Sequence, residues 1–117
     1  MITYWQQENG RFVKTEWDER DKSQNTWVDA RSVTREDIRI LQEDFGVEQD
    51  TILDILDPDE LSRIDKEDNY TITIARIPVF DPTGDISYFT APIGVIVYPD
   101  IVITICWTDC EMLRDIT

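Results

Sequence analysis

At 117 residues and 41% hydrophobic side chains, the chain is long enough for one domain with a real core and too apolar to be disordered. Its 25 acidic residues against 11 basic ones leave a net charge of −14, which argues against nucleic acid and anionic membrane surfaces as partners, because both need clustered Lys and Arg. Histidine is absent, which removes the usual acid–base residue, Ser-His and Cys-His nucleophile pairs and most zinc sites.

In chain order, residues 2–6 and 12–15 are β-rich runs around Glu8-Asn9-Gly10-Arg11. Asn-Gly favours the positive φ angles of a type I′ turn, so a hairpin is predicted here. Residues 17–25 are polar and charged and read as a solvated connection. Residues 26–30 read as a short strand with Trp27 and Asp29 on the face opposite Val28. Thr34 is a good N-cap, and Glu36 and Asp37 suit the first turn of the helix that follows. Ile38, Leu41 and Phe45 recur at helical spacing as its buried stripe, and Gly46 closes it as a left-handed cap. Ile40 lies off that stripe, on a partner surface or on the margin of a wider stripe. A second helix is predicted over residues 48–56, with Ile52, Ile55 and Leu56 inward and Asp57-Pro58 as its stop.

Residues 61–66 read as a short edge strand. Three strands then follow, over residues 70–77, 86–98 and 101–107. The last is apolar at almost every position, which predicts a strand buried on both faces in the middle of the sheet. Tyr98-Pro99-Asp100 is a tight turn and residues 81–85 a longer hairpin connection. Pro92 inside the second of these strands suggests a bulge or an edge position. Cys106 and Cys110 make no convincing disulfide framework, and Cys106 reads as a buried thiol. Thr108-Asp109 looks like an N-cap for a C-terminal helix of little more than two turns. No signal peptide and no transmembrane-length apolar run is visible, so the expected character is cytosolic. Apolar sheet and amphipathic helices together predict an α/β fold, a single domain over residues 1–117.

One acidic constellation stands out. Asp50, Asp54 and Asp57 fall at i, i+4 and i+7 on the second predicted helix, opposite Ile52 and Ile55. Like charges so spaced repel, at roughly 0.2–0.5 kcal/mol per pair in an isolated helix. A bound cation or a basic partner relieves that repulsion, and so does simple solvation of an acidic face. The acidic runs at 57–60 and 65–69 lack the glycine and glutamate of an EF-hand loop. There is no Gly-rich phosphate loop, since Gly46, Gly84 and Gly94 are isolated.

From Trp27 to Trp107 the order of motifs resembles the N-terminal cytosolic domain of CorA-type magnesium transporters. The resembling residues are Trp27-Val28-Asp29, Thr34 with Asp37, Asp44-Phe45-Gly46-Val47, and Ile52-Leu53-Asp54-Ile55-Leu56. The last matches a family "leu-glu-asp-ile-leu" segment. Arg63-Ile64-Asp65, with Asp68, Tyr70, Ile72 and Ile74, is similar to the family's "arg-x-glu-x-x-x-x-tyr" entry into the sheet. The resemblance implies a three-layer α/β/α sandwich with a mixed sheet of about six or seven strands. It implies that a stalk helix, two transmembrane helices and a Gly-Met-Asn pore signature, none of them in this sequence, belong to the full-length protein. That protein would be a homopentamer, its N-terminal domains on the cytoplasmic side of the cell inner membrane, attached to the membrane only through the missing C-terminal helices.

The resemblance also implies a regulatory role. Divalent ions, Mg2+ first and possibly Co2+ or others, bind between neighbouring domains and favour the closed channel. The family aspartate that takes part falls on Asp54, flanked here by Asp50 and Asp57 as candidate metal ligands. The glutamate that precedes it in the family is Leu53 in this chain. The expected function is therefore ion sensing rather than catalysis. The alternatives are a stand-alone acidic protein-binding module and the equivalent domain of a zinc or cobalt carrier. A carboxylate-based metal hydrolase is disfavoured by the missing histidine and the lack of a cleft signal.

Overall fold

The computed structural model describes residues 1–57, 62–66, 70–80 and 88–106. Strands β1 (Ile2–Glu8) and β2 (Arg11–Thr15) form the N-terminal hairpin. Its turn uses Asn9 at φ 54° and Gly10 at φ 80°, the two left-handed residues a type I′ turn requires. Strand β3 (Thr26–Arg31) leads to helices α1 (Arg35–Glu43) and α2 (Gln49–Leu56). Strands β4 (Arg63–Lys66), β5 (Thr71–Phe80), β6 (Tyr88–Val97) and β7 (Ile101–Cys106) complete one seven-stranded sheet in the order β2-β1-β3-β7-β6-β5-β4. It is mixed: β3 and β7 run parallel, and every other pair is antiparallel.

The apolar run of residues 101–106 takes the middle of this order, with Ile103 and Ile105 wholly buried. The Tyr98 N–H donates to the Ile101 carbonyl at 2.8 Å and closes the tight turn before it. Helix α1 opens on a full capping box. Thr34 Oγ1 accepts from the Asp37 N–H, and Asp37 Oδ2 accepts from the Thr34 N–H. It closes at Gly46, φ 70°, where the Gly46 and Val47 N–H groups donate back to the Gln42 and Leu41 carbonyls.

Both helices lie on the same face of the sheet. Leu41, Val47, Ile52 and Ile55 form one core with Val28, Ala30, Ile72, Ile74, Ile96, Ile103 and Ile105. The closest approach is between α2 and β6. A Cβ added at Gly94 would overlap the Ile55 side chain, so the glycine exists to let that isoleucine reach the sheet. The opposite face carries a smaller cluster of Trp27, Ile93 and Cys106, with Trp5, Phe12, Ala75 and Ile77 packed around it.

Two expectations are corrected, for Pro92 and Cys106, and one connection gains detail. Pro92 is in an internal strand without a bulge: its register against Arg76 is continuous with Ile77↔Ala91 and Ala75↔Ile93. Among the described residues the β6–β7 pairing runs from Ile93 to Val97, and none of these pairs uses the Pro92 backbone nitrogen. Within the polar 17–25 connection, Trp17 is half-buried as an aromatic anchor. It opens a 3₁₀ turn, Trp17–Glu19, and sits between Tyr4 and Phe45 at centroid distances of 5.3 and 5.1 Å, with the Arg20 guanidinium 3.5 Å above the ring. Cys106 is fully buried but is disulfide-bonded rather than a thiol. Pairing depends on the path of the chain, which a count of two cysteines does not reveal. The other cysteine, Cys110, lies outside the described residues, as do the 81–85 connection, Trp107 and the expected C-terminal helix.

Two predictions follow from this packing. Gly94→Ala should destabilise the domain by about 1–3 kcal/mol through overpacking against Ile55, read as a lower midpoint in urea unfolding with an unchanged slope. The second concerns Asp37. Burial pushes its pKa up, but the Met1 ammonium and the Thr34 N–H outweigh that, and the carboxyl is held below its usual value. A carboxylate with a depressed folded pKa stabilises above its unfolded pKa and loses that contribution as pH falls through the folded value. Thermal melts of wild type and Asp37→Asn should therefore differ most near pH 7 and converge below about pH 3, a window set by the ordinary Asp pKa.

Candidate functional site

Helix α2 is short because both its ends are set by local chemistry. Glu48, extended at ψ 143°, precedes it without a side-chain cap, and Asp57, extended at ψ 116°, ends it ahead of Pro58. Ile52 and Ile55 face the core, which leaves the acidic positions outward. Asp50 and Asp57 are exposed, and Asp54 is half-buried at the rim where α2 meets the edge of the sheet.

The structure gives Asp54 a cationic neighbour. Its Oδ2 accepts from Arg63 Nη2 at 2.8 Å, and Arg63 Nε donates to Asp65 Oδ2 at 2.9 Å. Arg63 and Asp65 are two apart on β4, so strand alternation puts both on the helix side of the sheet. One guanidinium thus joins α2 to the edge strand. Its three members are 34%, 42% and 47% exposed for Arg63, Asp54 and Asp65, so the network remains open to water. Asp50, Asp54 and Asp57 do not converge into a cage. Among the described residues, no three His, Cys, Asp or Glu side chains are placed to hold a metal ion. Leu53 beside Asp54 is 51% exposed, an apolar side chain at the position where the resembling motif has glutamate.

Sequence reading treated Arg63 as part of a motif and missed its role beside Asp54. The available signal was the two-residue spacing of Arg63 and Asp65, which predicts a shared face. The contact with Asp54 depends on how α2 crosses the sheet, and that is a tertiary fact.

On the opposite face, Trp27 Nε1 donates to Thr104 Oγ1 at 2.9 Å, and Thr104 Oγ1 donates to Asp29 Oδ1 at 3.1 Å. Asp29 Oδ2 pairs with Arg31 Nε at 2.7 Å. Asp29 and Thr104 are almost wholly buried. A charge withdrawn from water this far needs such partners, and here two strands supply them. A cavity of about 380 Å³ opens next to this network between Phe12, Trp27 and Val102. None of its lining side chains titrates near neutral pH, so it offers no acid–base chemistry.

A family model for "CorA-like Mg2+ transporter protein" matches residues 22–117. The chain belongs to that family, and it corresponds to the family's N-terminal domain. No curated protein matches it significantly. Among solved structures, the fold is similar to the complete CorA magnesium transporter from Methanocaldococcus jannaschii, with a TM-score of 0.80 at 16% identity over 98% of this chain and 35% of that one. The soluble domain of the same CorA gives a TM-score of 0.77 at 17% identity, over 98% and 44%. The ZntB cytoplasmic domain from Vibrio parahaemolyticus gives 0.66 at 14% identity, over 97% and 46%. At these identities the likeness is one of fold. The chain spans less than half the length of each of these proteins. Among the described residues, no helix is long and apolar enough to cross a membrane.

The exposure of the Asp54–Arg63 pair sets its energetic scale. Half-exposed ion pairs contribute about 0.2–1 kcal/mol. Asp54→Ala should leave the far-ultraviolet circular dichroism unchanged and lower the unfolding free energy by no more than about 1 kcal/mol. A larger loss would mean that Asp54 is chiefly a structural residue.

Proposed function

We propose that this chain is the cytosolic ion-sensing domain of a CorA-like divalent cation transporter. In this reading it binds Mg2+ between subunits of a homopentamer, favours the closed channel and carries no catalytic activity. The observation that carries the reading is the family match over residues 22–117. Asp54, at the position the family motif assigns to ion binding, is half-exposed on the rim of α2, where a neighbouring subunit can reach it. Asp50 and Asp57 add negative charge on the same helix and hold a hydrated ion loosely, since Mg2+ keeps several of its waters. Co2+ is accepted by the same oxygen ligands less selectively.

The apolar cluster on the second sheet face supports a third layer. Trp5, Phe12, Trp27 and Ile93 form an apolar surface opposite the helices, and a helical segment following β7 in the full-length protein would complete an α/β/α sandwich. In this reading the domain lies on the cytoplasmic side of the cell inner membrane, joined to it through helices of the full-length protein.

A zinc or cobalt carrier is the second reading, favoured by the similarity to the ZntB cytoplasmic domain. Flux measurements on the full-length protein separate the two by comparing Mg2+ with Zn2+ as the transported ion. The regulatory role is tested by flux against internal Mg2+. Asp54→Ala should require several-fold more internal Mg2+ for half-inhibition. Coincident inhibition curves for variant and wild type would reduce Asp54 to a solvated helix residue.

A further inference from the structure

We propose that Arg63 is an internal counter-cation of Asp54, a tethered guanidinium that occupies the aspartate until a divalent ion displaces it. This rests on the reading of Asp54 as an ion ligand and adds how that ligand is held when no ion is bound. Arg63 Nη2 donates to Asp54 Oδ2 at 2.8 Å, so one carboxylate oxygen is engaged and a positive charge stands at the approach to it. A divalent ion that retains part of its water shell needs that same space. Ion binding and the Arg63 contact therefore compete for one oxygen.

Displacement strands no charge. Arg63 Nε also donates to Asp65 Oδ2 at 2.9 Å, from a residue on the same face of the same strand. The guanidinium can leave Asp54 and stay on Asp65. Strand β4 lies at the edge of the sheet and pairs only with β5 among the described residues. The pair is also half-exposed, at 34% and 42% for its two side chains. A contact of that exposure is weak enough to be exchanged, so it raises the ion concentration at which Asp54 fills without preventing filling. The bridge from α2 to β4 breaks when the ion enters, which couples occupancy of Asp54 to the attachment of the edge strand.

The test is an NMR titration of the 117-residue chain with MgCl2 at constant ionic strength, for wild type, Arg63→Gln and Asp54→Asn. In wild type, the Asp54 amide and the Arg63 Nε–H should move together with one midpoint. In Arg63→Gln the midpoint should fall by about two- to fivefold, the range set by a half-exposed ion pair. In Asp54→Asn the Arg63 Nε–H should no longer respond. An Asp54 amide that responds while the Arg63 Nε–H stays still, with equal midpoints in wild type and Arg63→Gln, would overturn the competition and leave the ion-ligand role of Asp54 standing. An Asp54 amide silent in both proteins would overturn the two together. The wild-type Nε–H measurement needs no variant, and the same spectra show whether Arg63→Gln is folded.

Discussion

The parallel pairing of β3 with β7 is the joint on which the rest of this domain depends. It runs from Thr26↔Ile101 to Arg31↔Cys106 and links residues some 75 positions apart. Without it the N-terminal hairpin and the C-terminal strands would be two small, separate sheets. The backbone ladder is reinforced from the side chains. Trp27 and Asp29 of β3 meet Thr104 of β7 in a buried chain of hydrogen bonds, closed by the Asp29–Arg31 ion pair. Parallel strands need a long crossover, and here α1, α2 and β4 to β6 form it. The crossover places both helices on one face, where Val28, Ile103 and Ile105 from the joint become the floor of the core.

That arrangement also decides what the acidic surface can do. A charge of −14 on a small domain is a field that attracts cations anywhere on the surface, and alone it has no address. The address comes from the packing of α2. Ile55 against Gly94 fixes the rotation of the helix, and this brings Asp54 to the rim next to Arg63, while Asp50 and Asp57 are more exposed. The rim brings together one carboxylate, one guanidinium and an exposed leucine.

Membership of the CorA-like family gives this geometry its context, and the low identities to solved relatives show how little of the sequence the fold needs. What persists is the fold itself. The opposite face sets an aromatic cluster beside the buried Asp29–Thr104 network.

The sequence by itself determined the elements whose cause is local. Asn9-Gly10 specified the hairpin turn, Thr34 with Asp37 the start of α1, Gly46 its end, and the unbroken run of residues 101–106 the central strand. Each follows from backbone sterics, capping or the side-chain period within a few residues. The tertiary structure alone decided what depends on distant neighbours. Which rings Trp17 packs between, Tyr4 and Phe45, no local pattern names. Pro92 carried the signal of a bulge or an edge, and its pairing with Arg76 shows the strand running through it without a bulge. Cys106 looked like a free thiol, and only its position revealed a disulfide. Asp54 was legible as one of three helical carboxylates, but not as the partner of Arg63, nine residues on, because that contact requires a helix and a strand to meet at an angle no local period encodes.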